Sequence, residues 1–238
     1  MLLRVGALLS RQHSSGTNIL GLSPAAAWDL KTGPRWTDTA GTTAATDNDA
    51  LVARIDDISG NGRHWTQATA SKRALLKTGA NPYVLSDGID DLYDLSGTAL
   101  DGTATTLAIA AQLVSGTGYR VGMMISKQIV YLRMSTSTNW GGYNTQEVTS
   151  GVTLSGDSAL IEVSRAANSV DFYTDTVASK VTRTNGTAYT ARTAGLLGAP
   201  TQFANARFYR GAVWLREITA EEVPTVLTWL GEGMGVTL

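Results

Sequence analysis

Short apolar stretches, punctuated by turn-forming residues, run through most of this 238-residue sequence, and that spacing restricts the chain to a fold of many strands. Runs of four to eight apolar or β-branched residues bounded by Gly, Asn, Asp or Ser read as strands, whereas a helix needs a longer stretch with a 3.6-residue period. Strands are expected over residues 51–58, 105–114, 119–125, 128–134, 159–163, 169–173, 177–183, 187–192 and 207–216. Segment 105–114 is apolar on both parities, which fits a strand buried on both faces. Ser126-Lys127 and Asn185-Gly186 separate consecutive strands, and Asn-Gly supplies the positive φ angles of a two-residue hairpin.

One helix is expected, at the C-terminal end. Thr219-Ala220-Glu221-Glu222 spells a capping box, a hydroxyl at the cap and a carboxylate three residues on. Val223, Val226, Leu227, Leu230 and Met234 then share one face. Pro224 removes an amide donor and predicts a loose or bent first turn, and Gly231, Gly233 and Gly235 are expected to end the helix. With no repeat or linker in between, the strands and the helix define one domain over residues 23–238. Residues 1–22 read as an arm. Its apolar residues Leu2, Leu3, Val5, Leu8 and Leu9 are expected to dock on a partner subunit, with an extra edge strand as the alternative. Ala25-Ala26-Ala27 resembles a cleavage site, but the polar residues 14–18 break any apolar core before it, so no signal peptide is expected.

Composition excludes several function classes. The net charge is −1, which leaves no basic excess for phosphates or an anionic membrane, so neither nucleic-acid binding nor membrane insertion is expected. No apolar run reaches the roughly 18 residues of a span. Cysteine is absent, which removes disulfides, thiolate metal sites and a cysteine nucleophile.

Residues 54–65 read Arg-Ile-Asp-Asp-Ile-Ser-Gly-Asn-Gly-Arg-His-Trp, followed by Gln67-Ala68-Thr69 and then Ser86-Asp87-Gly88-Ile89-Asp90-Asp91. With Trp28 ahead of them, and Trp214, the Thr219 box and Trp229-Leu230 behind, these motifs resemble the concanavalin A-like, or laminin-G-like, jelly-roll modules of bacteriophage virion proteins and bacterial surface proteins. The resemblance covers nearly all the chain after about residue 22. It implies an all-β, two-sheet antiparallel jelly-roll sandwich with one short C-terminal helix. In one place the chain departs from that pattern: the family's phenylalanine before the second turn is Ser86 here, which moves the apolar anchor to Val84 or Leu85. Read from the residues alone, Ser59-Gly60-Asn61-Gly62 and Asp87-Gly88 are tight turns, and Gln67 bonds to backbone.

The chemistry is sparse. Asp87, Asp90 and Asp91 offer hard oxygens and are calcium candidates, but calcium takes six to eight ligands; the alternative is a solvated turn whose carboxylates cap amides. Glycosidases of this fold place paired acids on one strand in a Glu-x-Asp-x-x-Glu pattern, which is missing; Glu162 and Asp171 stand alone, and Glu217, Glu221 and Glu222 belong to a strand end and a helix cap. His13 lies in the arm, and His64, beside Trp65, reads as a packing residue rather than a catalytic base. Asn139-Trp140-Gly141-Gly142-Tyr143-Asn144 reads as a loop whose Trp140, Tyr143 and Asn144 could carry a sugar; a packed aromatic loop is the plainer reading. No catalytic residue and no cofactor is expected. The expected function is therefore non-enzymatic. The first expectation is a virion structural or accessory protein, a tail- or capsid-associated jelly roll bound to other virion proteins as a homo-oligomer or within a larger assembly. The alternative is a carbohydrate-binding module of a surface adhesin, extracellular and recognising a cell-surface glycan. A glycoside hydrolase is the weakest reading.

Overall fold

The computed structural model describes residues 16–238 apart from 98, 101–103, 118–119, 126–127, 134–138, 144–146, 154–155, 165–168, 185–193 and 200. Strands β1 (Ala26–Asp29), β2 (Arg35–Trp36), β3 (Arg54–Ile55) and β4 (Trp65–Thr66) come first, then β5 (Leu75–Lys77), β6 (Tyr83–Leu85) and β7 (Tyr93–Leu95). The long β8 (Thr105–Ser115) leads into β9 (Arg120–Ile125), β10 (Gln128–Arg133), β11 (Asn139–Tyr143) and β12 (Glu147–Thr153). After these come β13 (Ser158–Ser164), β14 (Ser169–Thr174), β15 (Thr176–Thr184), β16 (Gly195–Leu196), β17 (Asn205–Trp214) and the helix α1 (Val223–Met234). One sheet runs β15-β14-β13-β8-β17-β6-β5, with β1 also paired to β17; the other runs β12-β11-β10-β9-β16-β7-β4-β3-β2. The two antiparallel sheets and the single C-terminal helix make the expected jelly-roll sandwich.

The central strands of the first sheet, β8, β13 and β17, are buried on both faces over most of their length. In β8, Leu107, Ile109 and Ala111 point into the layer between the sheets, while Ala108 and Ala110 point to the opposite side, under the helix. This double burial explains why segment 105–114 is apolar on both parities. The helix-side face is built from small residues, Ala27, Ala108, Ala110, Ala159 and Ala212, so α1 can approach closely with Val223, Val226, Leu227, Leu230 and Met234. Trp214 and Trp229 fill the remaining space in that layer. Between the sheets, Trp28 and Trp65 meet with ring centroids 4.8 Å apart. Trp28 lies opposite Gly211 in the register, where the neighbour has no side chain to displace it.

The signature turn is structural. Gly60 and Gly62 hold φ angles of 88° and 72°, which only glycine adopts without strain. Asp57 accepts from the amides of Ala27, Ser59 and Arg63 at 2.9–3.1 Å, and the Trp28 indole donates to the Arg63 carbonyl at 2.7 Å. The turn thus ties β1 to the rest of the sandwich. Gln67 makes its two backbone bonds as expected, to Leu92 and Thr69. At the departure from the family pattern, Val84 is the buried anchor, and Ser86 is buried with its hydroxyl donating to the Ala204 carbonyl at 2.5 Å.

Several local expectations are corrected. Of segment 51–58 only Arg54–Ile55 is strand: Leu51 bridges to Leu75 and Val52 bonds to Ala74 on one side, and the chain turns at Ile58 on the other. Residues 139–143 are not a loop: Asn139–Tyr143 is strand β11, paired on both sides by β10 and β12. The expected hairpin at 185–186 and strand 187–192 lie outside the described residues. The helix begins at Val223, not at Thr219, but Glu222 still reaches back to the Thr219 amide at 2.7 Å, as a capping-box carboxylate does. Pro224 falls in the first turn, where its missing donor would have no intrahelical partner. Gly231 and Gly233 lie within the helix, and only Gly235, at φ 78°, ends it.

Gly233 has a different purpose. A Cβ there would lie 2.5 Å from Cδ of Arg210, which crosses under the helix. Arg210 is 4% exposed; its Nε lies 2.9 Å from the Asp29 carboxylate, its Nη1 3.6 Å from Glu232, and its guanidinium 5.1 Å from the Trp229 ring centroid. Glu232 in turn accepts from the amide and hydroxyl of Thr17, the latter at 2.8 Å. This contact begins a short N-terminal brace. Ile19, 2% exposed, packs into the helix-side layer from a 3₁₀ turn (Ile19–Leu22), and the Leu22 carbonyl accepts from the Trp214 indole and from Arg216. Residues 17–22 therefore pack on the sandwich itself, which differs from the expected arm running to residue 22; Leu2, Leu3, Val5, Leu8 and Leu9 lie outside the described residues.

Two substitutions test this packing by chemical denaturation. Ile19→Ala is expected to cost roughly 3 kcal/mol, the usual effect of emptying a buried aliphatic site. Gly233→Ala is expected to destabilise the protein even though alanine favours an exposed helix by about 1 kcal/mol over glycine, because the new methyl collides with Arg210. A neutral or stabilising Gly233→Ala would contradict the packing described.

Candidate functional site

The second family-like turn forms one wall of a cavity. Asp87 and Gly88 turn the chain after β6; Gly88 holds φ 78°, and a Cβ there would also meet Asn205 at 2.9 Å. Asp87 caps the turn by accepting from the Ile89 amide at 2.7 Å, and Asp91 closes it by accepting from the Asp87 amide at 2.9 Å. These bonds bring one carboxylate oxygen each of Asp87, Asp90 and Asp91 within 4.8 Å of one another. The three calcium candidates thus meet in space, and two of them also make the amide caps of the alternative reading. The cavity beside them has a volume of about 480 Å³ and is also lined by Ala70, Ser71 and Arg73. Leu51, Leu75 and Leu85 contribute apolar surface. Asn205, at the start of β17, lines it as well.

The ionisable residues lining this cavity are Arg73, Asp87 and Asp91. Arg73 donates to the carbonyls of Gln67, Thr37 and Ala68 at 2.7–3.2 Å, so its position is fixed by two loops. Asp91 is 4% exposed. Burial pushes its carboxyl up to about 6; the Asp87 amide opposes that shift, and the Asp87 and Asp90 carboxylates add to it. A second cavity, of about 540 Å³, lies beside Ser59, Asn61, Arg63 and Arg216. There the arginines are engaged structurally, Arg63 with the Ala25 carbonyl at 2.6 Å and Arg216 with Glu222 at 2.6 Å.

The other sequence candidates separate. Glu162 lies opposite Phe172 in the β13–β14 register, on the face toward the inter-sheet core, whereas Asp171 lies opposite Val163 on the helix-side face. Asp171 is buried beside Lys180 at 3.1 Å and accepts from the Thr182 hydroxyl at 2.6 Å. The two acids therefore cannot face one substrate. Glu222 holds Arg216, which with the Thr219 amide accounts for its lowered pKa. His64 is held by its neighbours: Nδ1 is 3.1 Å from the Asp57 amide, and Nε2 is 3.2 Å from Arg54. Trp140 and Tyr143 are on β11, at alternate parity from each other by their spacing, and Asn144 lies outside the described residues. The cavity was not legible in the sequence, because Leu51, Arg73, Asp91 and Asn205 are distant along the chain. Only the aspartate turn marked its position.

The raised pKa of Asp91 has a definite sign in stability. The folded state binds this proton more tightly than the unfolded chain, so the contribution of Asp91 falls as pH rises from about 4 to about 6 and stays unfavourable above that. Asp91→Asn keeps an acceptor for the Asp87 amide and removes the buried charge. It is expected to unfold at higher urea concentration than the parent at about pH 7, with the difference gone near pH 4. A destabilised variant at neutral pH would contradict this assignment.

No protein-family model matches the sequence, and no curated protein matches it. The solved structures do. A GH54 α-L-arabinofuranosidase superposes with a TM-score of 0.64 at 13% identity, covering 91% of this chain and 65% of that one. The binding domain of Paraclostridial Mosquitocidal Protein 1 gives 0.59 at 10% identity, covering 88% and 52%. Botulinum neurotoxin type C, whose cell entry depends on interaction with two ganglioside molecules, gives 0.53 at 8% identity, covering 83% and 50%. The chain thus spans between half and two thirds of the chains it resembles. Likeness at these identities shows the fold: a jelly-roll β-sandwich shared by toxin binding domains and glycoside hydrolases.

Proposed function

We propose that this chain is a non-catalytic binding module that attaches a larger assembly to its target, the assembly being a virion in which it is a tail- or capsid-associated protein. The observation that carries the first part is the separation of Glu162 and Asp171 onto opposite faces of the sheet, together with the filling of its outer face by α1. Glycosidase chemistry needs two carboxyl groups facing one another across about 5–9 Å of open cleft. The virion setting rests on the resemblance of the two turn motifs to phage modules. A second reading, a carbohydrate-binding module of a surface adhesin, is favoured by the likeness to the mosquitocidal binding domain and to a neurotoxin that engages gangliosides.

Two measurements test these readings. The intact chain is expected to release no reducing ends from a panel of plant and bacterial polysaccharides, and Glu162→Gln, Asp171→Asn and Glu217→Gln are expected to change nothing in that assay. Vigorous cleavage that one of these changes abolishes would make the protein an enzyme. Gold-labelled antibody against the chain is expected to decorate purified virions in electron micrographs. Label confined to the cell surface would leave the adhesin reading in its place.

A further inference from the structure

The cavity beside the aspartate turn is lined by polar residues whose hydrogen-bonding capacity the fold uses only in part. Asp91 is 4% exposed, and only one of its two carboxylate oxygens accepts a hydrogen bond among the described residues. Asp87 likewise accepts through one oxygen. Arg73 uses three of its five N–H groups on loop carbonyls and keeps two. The Asn205 amide and the Ser71 hydroxyl have no partner among the described residues. The residues that carry these groups all line the same cavity.

Their chemistry narrows the ligand. The carboxylates oppose an anion, and Arg73 opposes an organic cation. Acceptors and donors together suit a neutral group that does both, and a hydroxyl does so from a single atom. The leucine wall suits a ring with an apolar face, and about 480 Å³ lies in the usual range for small-molecule sites, roughly 300–1,000 Å³. We infer that this cavity binds one saccharide unit directly, with vicinal hydroxyls donating to Asp87 and Asp91, Asn205 and Arg73 donating to ring or hydroxyl oxygens, and the apolar face of the ring against Leu75 and Leu85. The inference rests on the binding-module reading and names a site and a ligand class for it, away from β11.

The test uses the intact chain and a panel of methyl glycosides of glucose, galactose, mannose, fucose and N-acetylglucosamine, followed by saturation-transfer NMR and titration calorimetry, once with calcium chloride and once with EDTA. At least one glycoside is expected to bind under both conditions. Asp91→Asn and Asp87→Asn are expected to weaken it about tenfold or more, the usual effect of losing a hydrogen bond to a charged group. Asp87 is exposed, so its variant reads the site even if the change at Asp91 perturbs folding. Binding that survives both substitutions, or that is lost only with Trp140→Ala, overturns the site while the module reading stands. Binding that EDTA abolishes overturns direct contact, since the sugar is then held through a cation at the aspartates. Absence of binding across the panel overturns the inference and removes the glycan reading with it.

Discussion

Strands buried on both faces have no solvent for a charge, and Arg210 is the guanidinium that these strands nevertheless enclose. It lies on β17, in the layer where Ala27, Ala108, Ala110, Ala159 and Ala212 otherwise keep the surface flat and apolar. Asp29 sits opposite it in the β1–β17 register, Glu232 approaches from the helix, and the ring of Trp229 lies against it. Removing one partner of such a group typically costs about 3–5 kcal/mol, because the other charge is left buried and uncompensated. The arrangement therefore joins three elements remote in sequence. It also sets the position of the helix, since the guanidinium fits only where Gly233 has no side chain. Glu232 then carries the connection on to Thr17, so the N-terminal brace, the helix and the central strands share one ionic junction.

The opposite rim is organised by acceptors rather than by charge pairing. Asp57 gathers three amides of β1 and the Gly60–Gly62 turn, and the Trp28 indole closes the same region onto Arg63. The Tyr93 hydroxyl does comparable work deeper in, donating to the Val52 carbonyl at 2.8 Å and accepting from the Ala74 amide at 3.1 Å. Full burial pushes its pKa far up, so it remains a neutral donor. The strands of this rim are two or three residues long. Side-chain bonds to backbone hold them where ladder bonds are few, which explains why these motifs are rich in Asp, Asn and Gly while having no part in catalysis in the proposed reading.

The elements that were legible are those with a strong local pattern. The paired strands around residues 105–134 and 158–184 and the late strand through Trp214 follow from short apolar runs bounded by turn residues, and the amphipathic face of the helix follows from its period. Segment 139–143 was misread because Gly141, Gly142 and Asn139 are turn formers by themselves; hydrogen bonding from β10 and β12 on both sides overrides that local preference. Gly231 and Gly233 misled in the same way. Glycine ends helices when the chain needs a positive φ, but here it admits the Val236 carbonyl and Arg210 to the helix surface. The aspartate turn was recognised as a turn, and its closeness in space to Leu51, Arg73 and Asn205 had no local signal.

The sequence by itself determined the fold class, because short apolar runs, frequent turn residues and a single amphipathic stretch are properties of neighbouring residues. It determined the chemistry of the two turns for the same reason: Gly60, Gly62 and Gly88 meet a backbone requirement that is local. Tertiary structure alone decided which acids could act together. It placed Glu162 and Asp171 on opposite faces, gathered Asp87 and Asp91 around a cavity, and turned Asp29, Arg210 and Glu232 into one buried network. Those outcomes depend on strand order and on the seat of the helix, and both are set by contacts between residues as much as two hundred positions apart, whose energies leave no trace in any short window of the chain.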